Sequence, residues 1–88
     1  MWSRSQALAV GERVAAARKQ AGLTQKDLAR RVRDSGVAIS ETRICNLERG
    51  IATEATYGSA ELLTAIAALT GVEPQWLVSG VEAAATIR

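Results

Sequence analysis

The chain has no phenylalanine and no histidine, a single cysteine (Cys45) and a single proline (Pro74). Each shortage excludes something. One cysteine rules out an internal disulfide, and without histidine there is no familiar zinc-finger spacing, so no metal ligand set is legible. No glycine-rich phosphate loop is present either, so the sequence offers no catalytic constellation and no cofactor site, and an enzyme is not expected. No apolar run nears the roughly 20 residues of a membrane span. The opening MWSRSQALAV lacks the apolar stretch of a secretory leader, so the expectation is a cytoplasmic protein with no membrane partner. With so few aromatics, the large core residues must be Leu, Ile, Val and Trp76.

What is present points to one small helical domain. The 88 residues are 48% hydrophobic, much of it alanine, which favours helix and lets helices approach closely but buries little area per residue. The charge is unevenly placed. Residues 1–50 carry ten Lys/Arg against five acids, a balance of +5, while residues 51–88 carry only Arg88 against four glutamates, a balance of −3. Such a basic half suits a polyanion partner; two ordinary solvated surfaces are the alternative.

The helix signals run in order. Ser3 and Gln6 stand at capping-box spacing, and Leu8, Val14, Ala17 and Ala21, with Val10 nearby, share a face of a first helix that Gly22 ends. Thr24, with Asp27 three residues on, caps a second helix. Leu28, Ala29 and Val32 face inward there, and Arg30, Arg31 and Arg33 face water or phosphate. Asp34-Ser35-Gly36 breaks it, and Val37-Ala38-Ile39 leads into Ser40, the cap of a third helix with Ile44 and Leu47 on its buried side and Gly50 at its end. Residues 51–58 read as a loop. Ser59 can cap a fourth helix striped by Leu62, Leu63, Ile66 and Leu69, which Gly71 ends. Pro74 suits the first turn of a short fifth helix that ends at Gly80, with Trp76 and Leu77 plugging the core or, for Trp76, meeting a partner. Trp2 covers the core or sits in a dimer contact. There is no strand signal and no repeat. The reading is an all-α fold of five helices, with a domain over residues 1–80 and a short tail over 81–88.

Set in order, Gly11-Glu12-Arg13-Val14, Arg18, Gly22-Leu23-Thr24-Gln25, Leu28-Ala29, Ile39-Ser40, Ile44, Leu47-Glu48-Arg49-Gly50, the Leu62–Leu69 helix and Gly71-Val72-Glu73-Pro74-Gln75-Trp76-Leu77 resemble the lambda-repressor/Cro-like (XRE-type) helix-turn-helix family, over about residues 10 to 80. The spacing from Ala29 to Ser40 is longer than the family's by about five residues, through an extended second helix or an enlarged turn. The loop after Gly50 is also longer, by about four residues, and lacks the basic residues often found there.

The resemblance implies a lambda-repressor-like fold whose second and third helices form the helix-turn-helix. It implies a sequence-specific DNA-binding transcriptional regulator, a small Cro-like repressor of phage or bacterial origin. Such a protein would bind a palindromic operator in double-stranded DNA as a homodimer, through the fifth helix and the tail (residues 72–88). The alternative from the same family is an antitoxin that binds a toxin protein and autoregulates its operon.

The resemblance also places Glu41, Thr42, Arg43, Cys45 and Asn46 against base edges. Asn46 suits adenine, Glu41 cytosine N4 and the Thr42 methyl a thymine methyl. Glu41 either discriminates or points away, Cys45 touches a methyl group or is a half-buried thiol with no chemical role, and Arg43 reads guanine or binds phosphate. Gln25, Lys26 and Arg49 are phosphate candidates, with Arg4, Arg30 and Arg31 as lesser ones. Arg18 and Glu48 correspond to the family's salt bridge between the first helix and the end of the third.

Overall fold

A computed structural model describes residues 3–51 and 60–80. Among the described residues the chain is all helix: α1 (Arg4–Gln20), α2 (Gln25–Asp34), α3 (Glu41–Glu48), α4 (Ala60–Thr70) and α5 (Pro74–Ser79). Trp2, most of the loop expected at 51–58, the Ser59 cap and the tail at 81–88 lie outside the described residues.

The helix boundaries follow from local chemistry. A helix leaves its first N–H groups without intrahelical partners. Here hydroxyls answer them: Ser3 Oγ accepts from Gln6 N–H at 3.1 Å and Ser40 Oγ from Arg43 N–H at 3.2 Å. At α2 the bonding is reciprocal. Thr24 Oγ1 accepts from Asp27 N–H at 3.0 Å, and Asp27 Oδ2 accepts from Thr24 N–H at 3.2 Å, a closed capping box. At the other end of α1, Gly22 takes φ 74°. There Leu23 N–H reaches Arg18 O at 3.1 Å and Gly22 N–H reaches Lys19 O at 3.0 Å, the paired bonds of a left-handed glycine stop. The same pair of bonds closes α2 at Gly36 and α3 at Gly50.

Between α2 and α3 lie six residues, Ser35 to Ser40, where the usual helix-turn-helix connection has about 3–4. The connection therefore takes up about two or three of the added residues and α2 the rest. Ile39 anchors it by turning its side chain into the core.

The core gathers the inner faces of all five helices. Leu28, Ile44, Leu47, Ile66, Leu77, Val10, Val14 and Val32 are fully buried, each contributing about 1.5–3 kcal/mol where it is a large aliphatic. α1 packs against α3, α4 and α5, while α2 packs against α3 and α4. On α4 the buried positions are Leu62, Leu63, Ile66 and Ala67, with Leu69 half-buried against them.

Three positions differ from the sequence reading. The buried face of α1 runs through Ala7, Val10, Gly11, Val14 and Ala17, and Leu8 is 43% exposed. Ala21 is exposed as the C-cap residue. The reason is that α1 meets α3 across its small residues. A Cβ built on Gly11 would lie 2.7 Å from Glu48 O and closer still to Leu47 O, so two helix backbones touch there and Leu8 is displaced to the edge, over Gly50. The third is Trp76, which is half-buried against the core while its neighbour Leu77 is fully buried. Leu77 takes the centre of the α5 contact and Trp76 packs against the core from its margin.

Gly11→Ala tests the close approach through its sign. Helix propensity alone predicts a gain of about 1 kcal/mol. Contact with two backbone carbonyls, which cannot rotate away, instead predicts a net loss of about 1 kcal/mol or more in chemical denaturation, in the range of core overpacking. The capping box adds a pH dependence. The Thr24 backbone N–H, then its side chain, hold the Asp27 carboxyl below its ordinary value of 3.8, helped by Arg30 and Arg31. A lowered folded-state pKa means that the stabilisation is fully present above the unfolded value and is lost as pH falls through the folded one. Between about pH 5 and about pH 2 the wild type should therefore lose more stability than Asp27→Asn, the two curves converging in acid.

Candidate nucleic-acid interface

The eight residues of α3 make a rod about 12 Å long, the scale of a major groove about 12 Å wide. Ile44 and Leu47, both fully buried, mark its core side. Going round the helix on the other side in steps set by about 100° per residue, the order is Glu41, Cys45, Arg49, Thr42, Asn46. Thr42 and Arg49 lie opposite the core, and Arg43 stands beyond Asn46 at the edge. Glu41, Thr42, Arg43 and Arg49 are exposed; Cys45 and Asn46 are half-buried. One surface thus brings together a carboxylate, a methyl-bearing hydroxyl, a thiol, an amide and guanidinium groups, the mix of donors, acceptors and apolar contacts that base edges can meet.

The far end of this rod is clamped. Glu48, the last residue of α3, receives Arg18 Nε on Oε2 at 2.6 Å and Arg18 Nη2 on Oε1 at 3.0 Å. Arg18 Nη1 also donates to Leu23 O at 3.0 Å, so the guanidinium joins α1, the α1–α2 turn and α3. The two side chains are 12% and 7% exposed. In such a place a two-pronged charged bond, with the third guanidinium nitrogen also bonded, is the arrangement that repays desolvation. Glu48 Oε1 accepts a further bond from Gln25 Nε2 at 3.0 Å. Gln25, assigned to phosphate by the resemblance, is therefore tied to the carboxylate that holds α3, with one amide N–H and the side-chain carbonyl left over for other work. It opens α2, where first-turn N–H groups favour an anion, although Asp27 in the same turn opposes one. Lys26 beside it is exposed.

The remaining basic residues divide. Arg49 and Arg4 line an open cleft of about 310 Å³ together with Leu8, Gly50 and Ile51, where Leu8 and Ile51 are the exposed large hydrophobics among the described residues. Arg31 is exposed. Arg30 pairs with Asp27 at 3.6 Å with both side chains largely in solvent, a contact worth little. Arg33 is exposed, as its place on α2 leads one to expect, and its Nη1 also donates to Ile39 O at 3.0 Å, across the long α2–α3 connection. Arg13, given no separate role by sequence reasoning, donates through Nη1 to Leu77 O at 3.2 Å and Val78 O at 3.0 Å, closing the end of α5 with a cation where helix carbonyls favour one. No linear signal reveals that contact, because its partners lie 64 and 65 residues away.

Among the described residues no cluster of His, Cys, Asp or Glu is placed to hold a metal ion, and no helix is long and apolar enough to cross a membrane. The sequence profile of a family described as a helix-turn-helix domain matches residues 11–83, most of the chain. No curated protein and no solved structure matches significantly.

The clamp can be tested by a double-mutant cycle. Arg18→Met and Glu48→Met should each cost about 3 kcal/mol by stranding a nearly buried charge. The Arg18→Met/Glu48→Met double variant should lose clearly less than the sum. Simple additivity in urea denaturation would show that the two charges act independently.

Proposed function

The chain belongs to a helix-turn-helix domain family, a class of DNA-binding regulators, and from that premise we propose that it is a sequence-specific transcriptional repressor of the small Cro-like kind, acting in the cytoplasm of a bacterial host. α3 enters the major groove with its Thr42 side foremost. Asn46, Thr42, Glu41, Cys45 and Arg43 meet base edges, and Gln25, Lys26 and Arg49 meet the sugar–phosphate backbone. The observation that carries this reading is the setting of α3: a short helix capped at Ser40 and clamped at Glu48, its core side filled by Ile44 and Leu47 and its opposite side turned to solvent. A single module of this size buries little surface on DNA. The proposal therefore includes a homodimer on a palindromic operator, which gains affinity from two half-sites about one DNA turn apart. Its contact is assigned to residues 72–88, of which α5 is held onto α1 by Arg13.

A second reading, an antitoxin with a protein as its main partner, draws on one observation, the exposure of Leu8 and Ile51 on a common cleft.

Selection of bound sites from a random duplex pool tests the first reading, with a palindromic winner expected. On that duplex Asn46→Ala should weaken binding by about 1–3 kcal/mol while leaving a scrambled duplex nearly unaffected. Affinity should also fall steeply with salt, the logarithmic slope growing by about 0.9 per phosphate neutralised. Equal loss on both duplexes would remove the base-reading role of Asn46, and a flat salt titration would favour the protein partner.

A further inference from the structure

A six-residue connection between α2 and α3 creates a geometric problem for a DNA reader. Lengthening a loop costs little stability, because closure entropy grows only slowly with length. It does multiply the orientations open to the following helix, and base contacts depend on orientation.

In this chain the connection is pinned at successive points. Val37 N–H bonds Val32 O at 3.2 Å, and Ser35 Oγ bonds the same carbonyl at 2.7 Å, closing the first half onto the end of α2. The Ile39 side chain is seated in the core. The Ile39 carbonyl accepts from Arg33 Nη1 at 3.0 Å. That peptide unit directly precedes Ser40, whose hydroxyl and carbonyl receive Arg43 N–H and Ile44 N–H. Arg33 therefore holds the last link before the recognition helix starts, and it does so from the last turn of α2.

We propose that Arg33 is a positioning residue, a latch that sets the angle at which α3 is presented to DNA. It acts through the Ile39 carbonyl rather than by touching DNA. The proposal rests on the DNA-binding reading for its consequence, but the latch itself has an independent readout. Arg33→Met keeps the apolar stem and removes the donors. In this variant amide hydrogen exchange at Arg43 and Ile44 should quicken about tenfold, while exchange at Val14 in α1 stays unchanged.

On the duplex that the wild type selects from a random pool, binding should weaken about tenfold. On a scrambled duplex both the affinity and the salt slope should stay as they are, because no phosphate contact has been removed. Arg33→Lys, which retains a donor on a long stem, should recover most of the specific binding.

Equal loss on both duplexes with a shallower salt slope would assign Arg33 to the DNA backbone and overturn the proposal. So would unchanged exchange at Arg43 and Ile44. If the wild type selects no duplex at all, the DNA reading fails, and the exchange rates alone decide the latch.

Discussion

The placement of α3 is decided at the seam between α1 and the end of α3. Glu48 has a nearly buried carboxylate, and it is answered by two Arg18 donors and by Gln25. A charge in that setting tolerates few geometries, because its desolvation is offset only while those bonds are made. Seven residues before Arg18 on the same helix, Gly11 leaves room for the carbonyls of Leu47 and Glu48 to approach the α1 backbone. One contact is electrostatic and the other steric, and together they set both the position and the roll of α3. The exposed side of that helix is what remains once Ile44, Leu47 and Glu48 have been satisfied.

Arginines recur as internal fasteners. Arg18 reaches Leu23 O as well as Glu48, Arg13 reaches Leu77 O and Val78 O, and Arg33 reaches Ile39 O. Each carbonyl lies at a helix end or in a connection, where the regular intrahelical partner is missing. The planar, always-charged guanidinium suits this task, since it keeps several donors in fixed directions on a long stem. The basic balance of the first 50 residues thus has two uses. Part of it ties α1, α2, α3 and α5 together, and part, including Lys26, Arg31 and Arg49, is exposed to solvent. A count of charges cannot separate the two.

The places where sequence reasoning went astray share a cause. The period of its own helix puts Leu8 in the core, and nothing on α2 itself shows that the exposed Arg33 also bonds the Ile39 carbonyl. Leu8 is displaced because the neighbouring helix comes too close for a large side chain at the centre of the contact. The exposed Arg33 spends one donor on the connection after its helix, where the Ile39 carbonyl lacks an intrahelical partner. Leu77 is fully buried and Trp76 packs half-buried against the same core. In contrast, the caps at Ser3, Thr24 and Ser40 and the stops at Gly22 and Gly50 were legible, since each involves residues within five positions of one another.

The helix order, the caps and stops, and the apolar positions of α2, α3 and α4 can be read from the linear chain, because local hydrogen bonding and a 3.6-residue period act over short stretches. The linear chain also points to Arg18 and Glu48, through resemblance to a family. Packing fixed the rest: Gln25 shares the Glu48 carboxylate, Gly11 is a helix-contact point, and Arg13 and Arg33 close distant or irregular carbonyls. Those outcomes depend on which backbone groups are left without partners after the helices pack, and that is a property of the assembled fold rather than of any segment.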